Sequence, residues 1–194
     1  LFTFRTFSDV RVALDEDLVD VVVVPHVHAA YKRFAFSPLY MEVTNGEFRR
    51  FLSDPQGWRK PPPRKDAAEL RDSDVPLYVH APYLINVCSP RNNVRYGSRK
   101  ILQQTCDAAA EVGAEAVVVH PGHAEDGVAK GVGRWVRTLE MLESDVKLLI
   151  ENTAGGENAV ARRFEALARL CEAVSDYQGP APLGFCFDTC HAHA

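Results

Sequence analysis

Apolar residues along this chain follow two rhythms that take turns. Nearly continuous short runs occur at 20–27 (DVVVVPHV), 76–83 (PLYVHAPY), 114–122 (AEAVVVHPG), 146–156 (VKLLIENTAGG) and 182–191 (PLGFCFDTCH). Each runs apolar and then turns polar, the pattern of strands buried on both faces of a parallel sheet. Between them the spacing lengthens to three and four residues. Over 157–174, Val160, Phe164, Leu167, Cys171 and Val174 form one stripe with Arg162, Arg163 and Glu165 outside it, which predicts an amphipathic helix. A second helix is predicted over 98–114, opened by Ser98 as N-cap and closed by Gly113 at C′, and a shorter one over 133–142. Residues 61–65 (PPPRK) read as a stiff local connector. Pro38 and Asn45-Gly46 break the region after the first strand, and residues 1–18 carry no assignable pattern. Strand and helix alternate at the spacing of βα units around a parallel sheet, an α/β class.

Composition adds bounds. A chain of 194 residues with 46% hydrophobic and 25% charged content suits one domain with one core. Its longest β-branched run, 19–24, is far too short to cross a bilayer, and no secretory leader is visible at the start. The first residue is Leu, so the natural start is expected upstream. Five cysteines (Cys88, Cys106, Cys171, Cys186, Cys190) contain no CxxC pair, which suggests reduced thiols of a cytoplasmic protein, packed as small core residues.

Charge is distributed unevenly. The net −4 conceals a segment, 49–106, with eleven Lys/Arg against five Asp/Glu, a local +6 that leaves −10 for the rest. From Val75 to Thr105 there is no acidic residue, while Arg91, Arg95, Arg99 and Lys100 are basic. Such a segment is either a solvated face or a rim that binds a polyanion, and only a fold or motif beside it decides.

Four strand candidates carry a metal-ligand residue type at the same place, the carboxyl end: His80, His120, Glu151 and Asp188, with His191 just beyond the last. In a parallel barrel these ends open onto one face, so residues about one βα unit apart converge there. Parity agrees: Cys186 and Asp188 share one side of their strand, and Phe185 and Phe187 face the other, under outer helices. A single His or Asp at a strand end is more often a hydrogen-bonded loop starter than a ligand. Two imidazoles and two carboxylates converging on one mouth suit zinc, manganese or iron. A carboxylate among them can bridge two metals. His26, His28, His123 and His193 read as polar loop residues, and Cys190 beside His191 is too unspecific a pair to name as a ligand.

At these motifs the chain resembles endonuclease IV, the zinc-dependent AP endonuclease family 2. The stretches that carry the resemblance are 79–87 (VHAPYLINV), 117–124 (VVVHPGHA), 148–156 (LLIENTAGG) and 184–194 (GFCFDTCHAHA). Residues 51–58 (FLSDPQGW) stand where the family has its second strand and following loop, and 25–30 (PHVHAA) is loosely similar to its opening strand. The resemblance implies a TIM-type (β/α)8 barrel, incomplete here at about six of eight βα units. It implies one truncated domain over 1–194. A first zinc would take His80, His120 and Glu151; a second would share Glu151 and take Asp188; a third would take His191, the remaining ligands lying on later strands. Manganese is an alternative metal. Glu151 would be the catalytic residue as well as a ligand. Tyr83 and Leu84 match the loop that enters DNA at the lesion, and Arg91 and Arg95 would lie along the DNA backbone. Gln56 stands where the family commonly has an arginine.

The activity so implied is hydrolysis of the phosphodiester 5′ to an abasic site in double-stranded DNA, leaving 3′-OH and 5′-deoxyribose phosphate. The protein would be a cytoplasmic, nucleoid-associated monomer with no membrane partner. A fragment of this length is expected to have little or no repair activity alone. Two other readings fit the residues: a metal-dependent sugar isomerase or epimerase on the same barrel, and a non-catalytic DNA-binding fragment.

Overall fold

The structure, a computed structural model, describes residues 21–23, 52–72 and 76–193. Among the described residues, five parallel strands form one sheet in the order β1-β5-β4-β3-β2: β1 (Val21–Val23), β2 (Tyr78–His80), β3 (Ala116–Val119), β4 (Lys147–Glu151) and β5 (Leu183–Asp188). Each of the five apolar runs therefore contains one strand. Helices intervene: α1 (Ala67–Arg71), α2 (Asn92–Glu111), α3 (Val128–Leu139), α4 (Phe164–Val174) and α5 (Thr189–His193). From β2 to β5 the strands lie side by side in chain order, the TIM-barrel-like arrangement of successive βα units. β1 instead pairs with β5, Val21 opposite Cys186 and Val23 opposite Asp188. Residues 52–58 form bends and a turn rather than the second strand implied by the resemblance, while Phe51 and residues 25–30, His26 and His28 included, lie outside the described residues.

Strand parity divides the core in two. Val117, Val119, Leu148 and Ile150 face the helices and join Leu102 and Cys106 of α2, Trp135 of α3 and Leu170 of α4. Phe185 packs onto that same layer. On the other face Ala116, Val118, Leu149 and Cys186 form a small separate cluster with Tyr78 against it. Fully burying one Leu or Ile is worth about 1.5–3 kcal/mol, so the helix-side layer dominates stability.

Helix limits differ from expectation for local reasons. α2 starts at Asn92 with Arg91 as N-cap, six residues ahead of Ser98. Pro90 pre-sets the turn, and Ser89 Oγ accepts the Arg91 N–H at 3.2 Å. Ser98 is instead buried inside the helix, where its hydroxyl accepts the Asn86 N–H at 2.8 Å. Gly113, at φ +71°, does follow the end of α2, the left-handed position that favours glycine. α3 starts earlier than predicted, at Val128, and α4 later, at Phe164. The segment before α4 is held as a loop: the Ala124 N–H donates to Asn158 O and the Val160 N–H to Gly122 O, both at 2.9 Å. Within α4 the buried positions are Leu170 and Val174, while Phe164 of the expected stripe is 38% exposed. α1 follows the proline-rich connector and has a single buried residue, Ala67, so no apolar stripe marks it in the sequence. Among the cysteines, Cys88, Cys106 and Cys186 are buried, whereas Cys190 is exposed and not a core residue.

Candidate metal centre

The inner-face parity of the strands continues past their ends. His80 is two residues beyond Tyr78, His120 two beyond Val118, Glu151 two beyond Leu149, and Asp188 two beyond Cys186. All four side chains therefore leave the sheet on the face of the small cluster, at its carboxyl edge.

There they meet. His80 Nε2 lies 3.2 Å and His120 Nε2 2.8 Å from Glu151 Oε2. Ligand atoms of His80, His120 and Glu151 lie within 4.8 Å of one another, and so do those of Glu151, Asp188 and His191. Glu151 belongs to both groups. The imidazoles stack edge to face: His80 and His120 centroids are 5.0 Å apart, His120 and His191 5.3 Å. Tyr83 closes one side, its ring 5.2 Å from that of His80 and 5.5 Å from that of His120.

Hydrogen bonds set the imidazole tautomers. His80 Nδ1 is 2.6 Å from Ala81 O, and His191 Nδ1 is 2.8 Å from Asn152 O. A carbonyl can only accept, so each Nδ1 carries a proton and each Nε2 is the nitrogen left for a cation. His120 Nε2 is buried, and its contact with Glu151 is too poorly aligned to count as a hydrogen bond. Neutral imidazole nitrogens and a carboxylate oxygen, all lone-pair donors, face one another across about 3 Å. A positive charge between them removes that conflict, and a divalent metal satisfies several donors at once. The donor set fits a metal. Burial pushes the Glu151 carboxyl up; with no metal between them and His120 and His80 protonated, the two imidazoles and their charge outweigh burial and hold the group at about 2.

Asp188 is anchored by the first turn of α5. Its Oδ1 accepts the Cys190 N–H at 2.7 Å and the His191 N–H at 2.9 Å, so Oδ2 remains for a ligand role. The Asx-type turn explains why Asp188 and His191, three residues apart, converge.

Several expected DNA-contact residues sit around this edge. The Tyr83 N–H donates to Pro55 O at 2.9 Å, which brings the 54–57 turn and exposed Gln56 beside the loop after β2. Leu84 is half-buried in that loop. Arg91 is exposed and 3.7 Å from Glu125. Arg95 is turned inward: its Nη1 donates to Ser89 O at 2.8 Å and Pro90 O at 3.1 Å. Arg99 spans to α3, its Nε donating to Thr138 Oγ1 at 3.0 Å. Part of the basic segment thus holds loops and helices together. His123 is exposed and His193 lies in α5.

Two residues near the ligands carried no signal in a reading by residue type. Asn86 is buried, and its Oδ1 accepts the N–H groups of Cys88 and His123, each at 3.2 Å. Asn152, also buried, bonds through its side chain to Asp188 on the neighbouring strand. Each motif (PYLIN and IENTAG) held its asparagine in view, but only the three-dimensional partners distinguish them from loop polar residues.

Known proteins share this arrangement to differing extents. The model of a family described as xylose isomerase-like TIM barrel matches residues 40–194. A probable endonuclease 4 of Mycobacterium marinum is 54% identical over 146 residues, covering 74% of this chain and 56% of that protein. The chain thus spans little more than half the length of the curated relatives it matches. The crystal structure of endonuclease IV from Thermus thermophilus superposes with a TM-score of 0.57 at 31% identity, over 73% of this chain and 52% of that one. A D-tagatose 3-epimerase-like protein gives a TM-score of 0.56 at 28% identity, over 67% and 52% of the two chains.

Proposed function

Because the chain belongs to the xylose isomerase-like TIM barrel family and is homologous within it to endonuclease IV, we propose that it is the ligand-bearing part of a hydrolase that cleaves DNA 5′ to abasic sites. One observation carries the reading: the Glu151 carboxylate belongs to two ligand groups at once, with His80 and His120 on one side and Asp188 and His191 on the other. A shared carboxylate is the device that sets two cations close enough to clamp one phosphodiester.

His80, His120 and Glu151 would hold a first zinc, Glu151 and Asp188 a second, and His191 would contribute to a third; manganese is the alternative metal. Zinc bound there supplies Lewis-acid stabilisation of the phosphate and an activated water at neutral pH. The protein's own part is to fix the donors: His80 and His191 through their Nδ1–H bonds, and Glu151 by ionising at about 2 so that its carboxylate stays charged. Tyr83, whose ring lies against those of His80 and His120, and Leu84 beside it would meet a deoxyribose that has lost its base, a group cheaper to extrude than an intact nucleotide. Gln56, Arg91 and Arg95 would meet the DNA backbone from the same edge, Arg95 also holding the 89–90 loop that leads to Arg91. The chain would be about six of eight βα units of one barrel domain over 1–194, acting as a monomer in the cytoplasm on double-stranded DNA.

Zinc-loaded full-length protein is expected to nick a duplex with a tetrahydrofuran abasic analogue on its 5′ side, leaving 3′-OH, and to lose this after prolonged chelation. Cutting by metal-free protein, or none by metal-replete protein, overturns the reading. The similarity to a D-tagatose 3-epimerase-like protein favours one second reading, a metal-dependent epimerase of free sugars. Turnover of a ketohexose panel without abasic cleavage would decide for it.

A further inference from the structure

β4 and β5 run in parallel with Glu151 opposite Cys186, and there the backbone ladder ends. Its last rung is long: the Asn152 N–H reaches Cys186 O at 3.4 Å. Beyond that point a side chain takes over. Asn152 Oδ1 accepts the Asp188 N–H at 2.6 Å, and Asn152 Nδ2 donates to Asp188 O at 2.9 Å. A carboxamide is chemically a peptide group, with one acceptor and donors on the same plane, so it continues the ladder by one residue pair where the main chain has turned away. The backbone of the same residue completes the clamp, its carbonyl accepting His191 Nδ1–H at 2.8 Å.

We infer that Asn152 is a positioning residue that holds Asp188 and His191 in register with Glu151, and so assembles the second ligand group without touching the metal itself. The inference rests on the metal-centre reading above. Its reasoning is specific to the amide. Neither a carboxylate nor an apolar group of the same size offers a donor and an acceptor together, and without both, the Asp188 backbone loses a partner in a buried place. The first group differs. It draws two of its donors from other elements, His80 from β2 and His120 from the loop after β3, so a change at Asn152 reaches the two groups unequally.

Cadmium-113 NMR and calorimetric titration of the full-length protein separate the groups by stoichiometry and signal. Asn152→Ala is expected to weaken or abolish the cadmium signal that Asp188→Ala also removes, by about 10- to 100-fold in affinity. The signal lost in His80→Ala should remain. In the Asp188→Ala background, Asn152→Ala should then add nearly nothing, because both act on one group. Equal losses in the two backgrounds, or unchanged affinity in Asn152→Ala, overturn the inference while leaving the metal centre standing. Protein that takes up no metal overturns both. Should Asn152→Ala fail to fold, Asn152→Asp, which keeps the size and the acceptor, carries the test. If that variant also fails to fold, Asn152 is a fold residue and the positioning role is wrong.

Discussion

Asn86 and Gly122 are fitted to each other: a Cβ on Gly122 would lie 2.4 Å from Asn86 Oδ1, and Gly122 sits at φ +82°. The contact ties the loop after β2 to the loop that follows His120, since Asn86 Oδ1 also accepts the His123 N–H. Gly122→Ala combines a left-handed backbone with an overlap against a buried side chain. The loss of stability is expected at about 2–4 kcal/mol in urea unfolding of the metal-free protein. A loss below about 0.5 kcal/mol, the level of an ordinary surface change, would show that the loop shifts freely and that Asn86 does not hold it.

Glu151 is common to both ligand groups, so its removal should act more widely than any other. Glu151→Ala is expected to abolish binding at both, whereas His80→Ala spares the group of Asp188 and His191. Zinc counted by elemental analysis after dialysis checks this. Equal zinc content in the two variants would contradict a shared carboxylate.

Acid tolerance of the metal-free protein follows from the same residue. Glu151 is held at about 2, below its ordinary 4.5, by the histidines that outweigh its burial. A depressed carboxyl contributes stability that is complete above the unfolded value and drains away as pH falls toward 2. Melting temperatures measured between pH 5 and 2 should fall more steeply in the parent than in Glu151→Gln. Parallel curves would mean that the carboxylate is not the group being titrated.

Thiol chemistry should separate the cysteines. Burial pushes the Cys88 thiol far up and holds Cys106 at about 12, the latter eased by a Ser144 hydrogen bond. Cys190 is exposed. Ellman's reagent at pH 8 is expected to modify Cys190 quickly, and Cys88 and Cys106 only at the rate of unfolding. Fast labelling of Cys88, identified by peptide mass, would place the β2–α2 loop elsewhere.

Trp135 is fully buried and donates Nε1–H to Pro121 O at 2.7 Å, an oxygen that also accepts from Cys88 Sγ at 2.9 Å. Trp135→Phe removes one donor but leaves the other, together with some packing volume. A loss of about 1–3 kcal/mol is expected in urea unfolding, with metal affinity changed less than in Gly122→Ala. A larger loss of metal affinity than in Gly122→Ala would place the support of His120 in α3 instead.

How much of this was legible in the chain itself depends on the range of the interaction. Apolar runs locate the five strands among the described residues, because a strand buried on both faces must be apolar at nearly every position. Their polar ends marked His80, His120, Glu151 and Asp188, because two-residue parity carries each side chain to the same face as the residue before it. Helix starts were less legible: Ser98 looks like a cap by type, yet its hydroxyl serves a buried N–H from another loop.

The sequence by itself thus determined which residues share a face and which end of each strand carries chemistry, since those depend on local periodicity alone. Only the tertiary structure decided the partners. It set Arg95 onto loop carbonyls, paired β1 with β5, fitted Asn86 to Gly122, and made the Asn152 amide the last rung between two strands. Each of these joins positions that no repeat of two or 3.6 residues relates. They arise where backbone polar groups, buried by the packing of distant segments, must find donors and acceptors wherever the fold has brought them.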